Sequence, residues 1–388
     1  MGILANSASI CMFELQGVAP GEDLYSWAAE RLVKNRFRPI ELSAEEISAG
    51  WVHIDDFRLN SFDSPAAFQR DHYLAFSLRC DRRRVPAALL KAHLRKAEED
   101  FLTANPGFHK VPKRKREELA EAVRTALFSR SLPTPAIYDA IWDTRSGKVL
   151  FASLGTKAIE LFETLFKQTF EGARLIPVHP FSRAREVLDP RLLPALEKAN
   201  RASSDAVLDQ MRGNSWLGAD FLNWLMYRSM NQGQHFLVSR EGPAGVGESF
   251  VAYVDDRLIL QGEGEYGRQK IAVTGPQDRF GEVLTALRHG KQISEAVLFL
   301  EKDANSWKMS LKGESFHFAS LRTPPVKLEK DDTVEPAMER QALFFEKIFL
   351  LEECFQLFDS LYGAFLEERL GHAWEEKSSA IRQWIGQE

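Results

Sequence analysis

The sequence predicts an α+β chain, with antiparallel sheets flanked by helices and a helical-pair arm protruding from the body. Three observations predict this. Short runs with apolar alternation recur on either side of Gly-bearing turns, the mark of hairpins. A densely charged stretch with two thin apolar stripes lies between strand-like runs. A long C-terminal segment repeats large apolar residues at spacings of four and three. The chain has 388 residues, 44% hydrophobic and 27% charged. That balance excludes a disordered chain, a collagen and a membrane bundle. At roughly 150 residues per domain, two or three domains are expected.

The elements follow in order. Ser9–Leu15 reads as a strand and Glu22–Lys34 as a helix. Tyr73–Arg79 alternates Leu74, Phe76 and Leu78, another strand, and runs into Arg82, Arg83 and Arg84. Pro86 stands where a helix starts, its φ already suited to the first turn. Leu90, Leu94, Ala97 and Phe101 then mark one face of a helix, stopped at Asn105, Pro106 and Gly107. A second helix from Lys113 to about Phe128 carries Leu119, Val123 and Leu127. A short polar link makes the two an antiparallel pair. Ile137–Trp142 and Val149–Ala152 form a hairpin around Gly147. A helix over Thr156–Phe170 and a strand over Arg174–Val178 close the unit near residue 180.

The second half opens on a polar, loosely helical stretch, then the dense helix Trp216–Met230. Strands are expected at His235–Ser239, Phe250–Val254, Arg257–Gln261 and Lys270–Thr274. A helix over Arg279–His289 precedes strands at Ala296–Leu300, Ser306–Leu311 and Ser315–Leu321. A linker through Glu335 leads to the last long helix, with Phe344, Ile348, Leu351, Phe355, Phe358, Tyr362 and Phe365. That seam fits either docking on the chain's own sheet or a dimer coil. The resulting division is a central α+β domain (1–85 and 132–180), an arm (86–131) and a C-terminal α+β base (181–388).

The net charge of −5 argues against nucleic acid, but its distribution does not. Residues 79–130 hold fourteen Lys/Arg against seven Asp/Glu, while residues 326–388 hold seven against fourteen. Screening within ~10 Å lets such regions act separately. Lys110, Lys113, Arg114, Lys115 and Arg116 gather five cations in seven residues at a helix start. Cations there oppose the helix dipole, at a few tenths of a kcal/mol each, and a phosphate would relieve that. Lys91 and Arg95 lie one turn apart on the preceding helix, with Arg82, Arg83 and Arg84 at its base. A solvated surface run would carry the same letters, so composition alone leaves the two readings level.

Catalytic patterns are sparse. Gly262, Gly264 and Gly267 match a dinucleotide fingerprint in letters, but a strand-like run follows where a helix would be needed. Carboxylate pairs that a metal-dependent nuclease would need occur as Asp55/Asp56, Asp255/Asp256 and Asp331/Asp332, each in a turn or linker. The E-x-K triplet Glu375, Glu376, Lys377 lies in a helical region. The nine His are scattered, and Cys11, Cys80 and Cys354 lie far apart, as buried thiols of a reducing cytosol would. No catalytic residue, metal or cofactor is expected. No run approaches the ~18–20 apolar residues of a membrane span, and the opening residues do not read as a signal peptide.

From Val85 to Val178 the chain resembles the bacterial recombination-associated RdgC family. The likeness lies in the order of a Pro-led helix, the basic link with Lys110, Lys113 and Arg116, and a helix ending near Phe128 and Arg130. Ile141, Trp142, Asp143 and Gly147 with the return strand follow, then Leu175, Ile176, Pro177 and Val178. Gly50, Trp51 and Val52 match the family's Gly-Trp-Val, and a weaker likeness runs on through the second half. The resemblance implies a horseshoe-shaped subunit that pairs into a ring-shaped homodimer. It implies binding of double-stranded DNA without sequence preference, and restraint of RecA-dependent recombination. It also implies a cytoplasmic, nucleoid-associated protein that meets RecA at most indirectly and no membrane. Ser131, Leu132 and Pro133 fall where the family closes its ring, with Leu132 in place of an aromatic. An exonuclease activity is the alternative.

Overall fold

The computed structural model describes all residues except 1, 18–22, 42, 44, 265–266, 277–278, 327–334 and 387–388. The first half runs β1 (Ser7–Gly17), α1 (Leu24–Lys34), β2 (Ile47–His53), β3 (Gln69–Arg70), β4 (Tyr73–Arg82), α2 (Ala87–Ala104), α3 (Lys113–Arg130), β5 (Thr134–Asp143), β6 (Lys148–Phe151), α4 (Thr156–Thr169), β7 (Ala173–Pro177) and α5 (Pro180–Val187). Then come α6 (Leu193–Ala199), α7 (Val207–Gly213), α8 (Trp216–Asn231), β8 (His235–Leu237), β9 (Ser249–Gly264), β10 (Gly267–Thr274) and α9 (Gly281–Arg288). The chain ends with β11 (Gln292–Lys302), β12 (Asn305–Lys312), β13 (His317–Arg322), α10 (Pro336–Leu370) and α11 (Trp374–Gly386). The fold is α+β, as the alternation predicts.

All thirteen strands join one antiparallel sheet in the order β10-β9-β11-β12-β13-β1-β6-β5-β4-β2, with β3, β7 and β8 attached at its sides. β1 is the hinge of this order. Its first residues pair with β13 (Ser7 with Arg322) and its later ones with β6 and β7 (Phe13 with Val149 and Pro177). Two cores form. One lies under the first half, where Trp51, Phe76, Trp142, Phe151, Phe162 and Phe166 interlock. The other gathers Trp224, Trp307, Phe318, Phe358 and Tyr362 around α10.

The seven seam residues of α10 are all buried in the chain's own core, which settles the docking in favour of the sheet. The seam understates the helix. Leu350, Cys354, Leu357 and Leu361 are buried too, so α10 is covered on more than one side. Gln356 faces the 240–244 loop, donating to the Arg240 and Ala244 carbonyls and accepting from the Ala244 amide. The two strands expected over 250–261 are one bent strand, β9, with Asp256 at φ +66°. The strand β2 is not marked by alternation at all. The start expected for α1, Glu22, lies outside the described residues.

The Gly-Trp-Val motif has a packing explanation. Residues 35–37 run parallel to β2, the Phe37 amide donating to the Trp51 carbonyl and the Trp51 amide to the Asn35 carbonyl. A Cβ on Gly50 would stand 2.4 Å from Phe37 Cα, a main-chain atom that cannot yield. Trp51 is wholly buried, its Nε1 donating to Thr169 Oγ1 at 2.7 Å and its ring edge-on to Phe76. Gly50→Ala is therefore expected to cost about 2 kcal/mol, in the range of overpacked cores. A urea titration checks it, and an unchanged midpoint would contradict the crowding.

Cys11, Cys80 and Cys354 are free and buried. Burial pushes the Cys11 thiol up to about 12 and raises the other two, so none is poised as a thiolate. Among the described residues no helix is long and apolar enough to cross a membrane.

Candidate nucleic-acid interface

The arm grows from two neighbouring strands. β4 and β5 are paired, Arg82 opposite Thr134, so the chain leaves the sheet and returns at one point. Between them α2 and α3 pack on each other. Each has 18 residues, about 27 Å at 1.5 Å per residue. No residue of α2 is buried, and in α3 only Leu127 is. The stripes Leu90, Leu94, Phe101 and Leu119, Val123 are half-buried, enough to hold the pair together and no more. The Arg116 guanidinium reaches Glu98 across the pair at 2.5 Å, and the Phe101 and Phe108 rings meet near the connecting loop.

The structure separates the cations expected to act together. Consecutive helical residues point 100° apart, so Lys113, Arg114, Lys115 and Arg116 ring α3 and share no face. Arg116 turns to α2 and Glu98. Arg114 and Lys115 both lean toward Glu118, at 3.7 and 3.0 Å. Lys110 and Lys113 are exposed and form no ion pair with a described residue; the same holds for Arg84, Lys91 and Arg95. Arg82 is half-buried at the end of β4.

Arg83 corrects the expectation of three phosphate-facing arginines. It is 3% exposed and donates to the carbonyls of Ile40, Glu41 and Ser43, with its guanidinium over the Phe128 ring. β4 ends at Arg82, and Arg83, its amide donating to the Glu46 carbonyl, turns its side chain inward. It anchors the root of the arm. Lys96, Arg124 and Arg130 are further exposed, unpaired arm cations that the sequence reading did not single out. Lys96 adjoins Arg95, while Arg124 and Arg130 stand singly in sequence, outside the 110–116 cluster.

Ser131, Leu132 and Pro133 stand at the root of the arm, not at the loop joining its helices. Ser131 Oγ donates to the Leu127 carbonyl and ends α3. Leu132 is 79% exposed, the most exposed large apolar side chain among the described residues.

The other candidate chemistry resolves into ion pairs and turns. Gly264 pairs with Gly267 across the β9–β10 hairpin, so the three glycines open no helix. Asp55 is held by Arg70 and Asp56 by Arg58, both at 2.7 Å, and Asp256 by Lys308 at 2.6 Å. Asp331 and Asp332 lie outside the described residues. Lys377 bridges to Glu368 at 3.1 Å. Among the described residues no three His, Cys, Asp or Glu side chains gather as a metal site. His179 and His317 are drawn down to about 4 by burial, with Arg185 and Lys312 adding to it.

The fold and this surface define an α+β chain that presents a cationic two-helix arm from one end of an antiparallel sheet. Residues 23–191 match the family model described as "Putative exonuclease, RdgC". The match takes in the Gly-Trp-Val strand, the whole arm, the hairpin and α5, and stops short of α6. The weaker likeness read in residues 192–388 has no counterpart in it. No curated protein matches the chain.

Proposed function

We propose that the chain is a non-enzymatic, sequence-tolerant double-stranded DNA-binding protein of the recombination-associated, nucleoid type. In this reading it acts in the cytoplasm as a ring-shaped homodimer and restrains RecA-dependent recombination. The observation that carries the reading is the arm, a slender helical pair whose Arg84, Lys91, Arg95, Lys110 and Lys113 have no acidic partner. The match of residues 23–191 to the RdgC family model supports it. Cations on such an arm meet phosphates and release counterions without reading bases. The exposed Leu132 at the arm's root supplies an apolar contact for a second copy. A closed ring around a duplex then prevents sideways dissociation, while the acidic remainder of the surface keeps the duplex in the hole.

The test compares retention on closed circular and linear DNA as salt rises. A ring stays on circles and slides off free ends. Equal loss from both at every salt concentration would overturn encirclement. The family model's own description favours a second reading, an exonuclease. Loss of end-labelled nucleotides that depends on added Mg²⁺ or Mn²⁺, in the same preparation, would establish it in place of the first.

A further inference from the structure

Away from the arm, a cavity of about 460 Å³ opens between the β5–β6 turn, α5, the 240–243 loop and α10. Its walls are aliphatic and aromatic, from Met12, Ile141, Leu150, Val187, Leu351 and Phe355. Five carboxylates and three cations also line it. Two of these pair off, Lys148 with Glu186 at 3.0 Å and Arg183 with Asp359 at 2.5 Å. The third cation, Arg240, stands in the lining beside Glu241 in sequence and forms no ion pair with a described residue. That leaves Asp143, Glu241 and Glu352 without a Lys or Arg partner.

Glu352 and Asp143 both lie near Tyr73, and Glu241 is on the 240–243 loop. Glu352 accepts a hydrogen bond from the Tyr73 hydroxyl along one wall. Asp143 accepts from the Arg145 amide and the Ser146 hydroxyl, with His72 Nε2 at 3.8 Å. Glu241 is exposed on the 240–243 loop. A cavity with apolar walls and separated carboxylates suits one chemical class, a chain of methylenes bearing an ammonium at each end. The methylenes lose water against the walls, and each ammonium meets a carboxylate. An anion would face five carboxylates against three cations, and a purely apolar ligand would leave the carboxylates beside hydrocarbon.

We infer that this cavity binds a linear aliphatic diamine or polyamine, with Glu352 and Asp143 holding one ammonium and Glu241 the other. The site is independent of the arm and of the proposed DNA-binding role.

The experiment titrates the full chain with 1,5-diaminopentane, spermidine and Nα-acetyl-lysine amide by calorimetry at low salt. Saturable one-site binding of the diamines is expected. Glu241→Gln combined with Glu352→Gln should weaken it at least about tenfold, some 1.4 kcal/mol. Leu150→Trp should abolish it by filling the space. A thermal melt of each variant confirms that it is folded. Absence of saturable binding overturns the inference, as does equal binding by the folded double variant. Tighter capture of acetyl-lysine amide than of either diamine also overturns it, in favour of a polypeptide side chain.

Discussion

Asp359→Ala is expected to lower the stability of the chain by about 3–5 kcal/mol, the cost of stranding a buried charge. Arg183 on α5 is 3% exposed, and its Nε donates to Asp359 Oδ1 at 2.5 Å. Its guanidinium lies 4.9 Å from the Phe358 ring centroid and 5.5 Å from that of Phe318, with Met12 Sδ at 3.4 Å from Nη1. The rings face the cation favourably, but they cannot replace the carboxylate. Removing the acid leaves a full charge at the place where β1, α5 and α10 meet. Removing both partners, as Arg183→Met with Asp359→Leu, leaves no charge behind and should cost much less. Urea unfolding of the single and double variants measures the difference. A single variant within about 1 kcal/mol of the parent would show that water reaches Arg183 freely.

The parts of the fold legible in the sequence were those that one element determines by itself. Alternation marked β4 and β12, the four-and-three spacing marked α10, and Pro86 with Asn105 bounded α2. The sequence does not state what covers an element. α10 packs against α5, α8 and, through Gln356, the 240–244 loop, none of which its own spacing reveals. β2 escaped because Ala49 and Gly50 break its pattern, and Gly50 is required by the neighbouring segment rather than by the strand. The same limit applies at the arm. The five cations of residues 110–116 were legible as composition, whereas their dispersal around α3 follows from helix geometry and from Glu98 on another helix. Arg83 was legible as a base and not as an anchor, because the Ile40, Glu41 and Ser43 carbonyls that hold it lie some forty residues away.

That dispersal sets the second large effect. Exchanging Arg84, Lys91, Arg95, Lys110 and Lys113 together for Gln is expected to weaken duplex binding on the order of a hundredfold or more at moderate salt. It should also flatten the slope of log K against log salt by ~0.9 for each phosphate no longer neutralised. The loss should be equal on unrelated sequences, since phosphate contacts carry no base information. Exchanging Arg114, Lys115 and Arg116 should do less to the slope, because Glu118 and Glu98 already neutralise them in the free protein. Their removal liberates two acids, so part of its effect is repulsion and part is a looser arm, visible as increased proteolysis within residues 98–118. Fluorescence anisotropy across a salt series separates the two sets. If the paired set proves as damaging to the slope as the unpaired one, the ion pairs with Glu98 and Glu118 do not hold those cations back from phosphate. If neither set changes affinity or slope, the arm is not the surface that holds DNA.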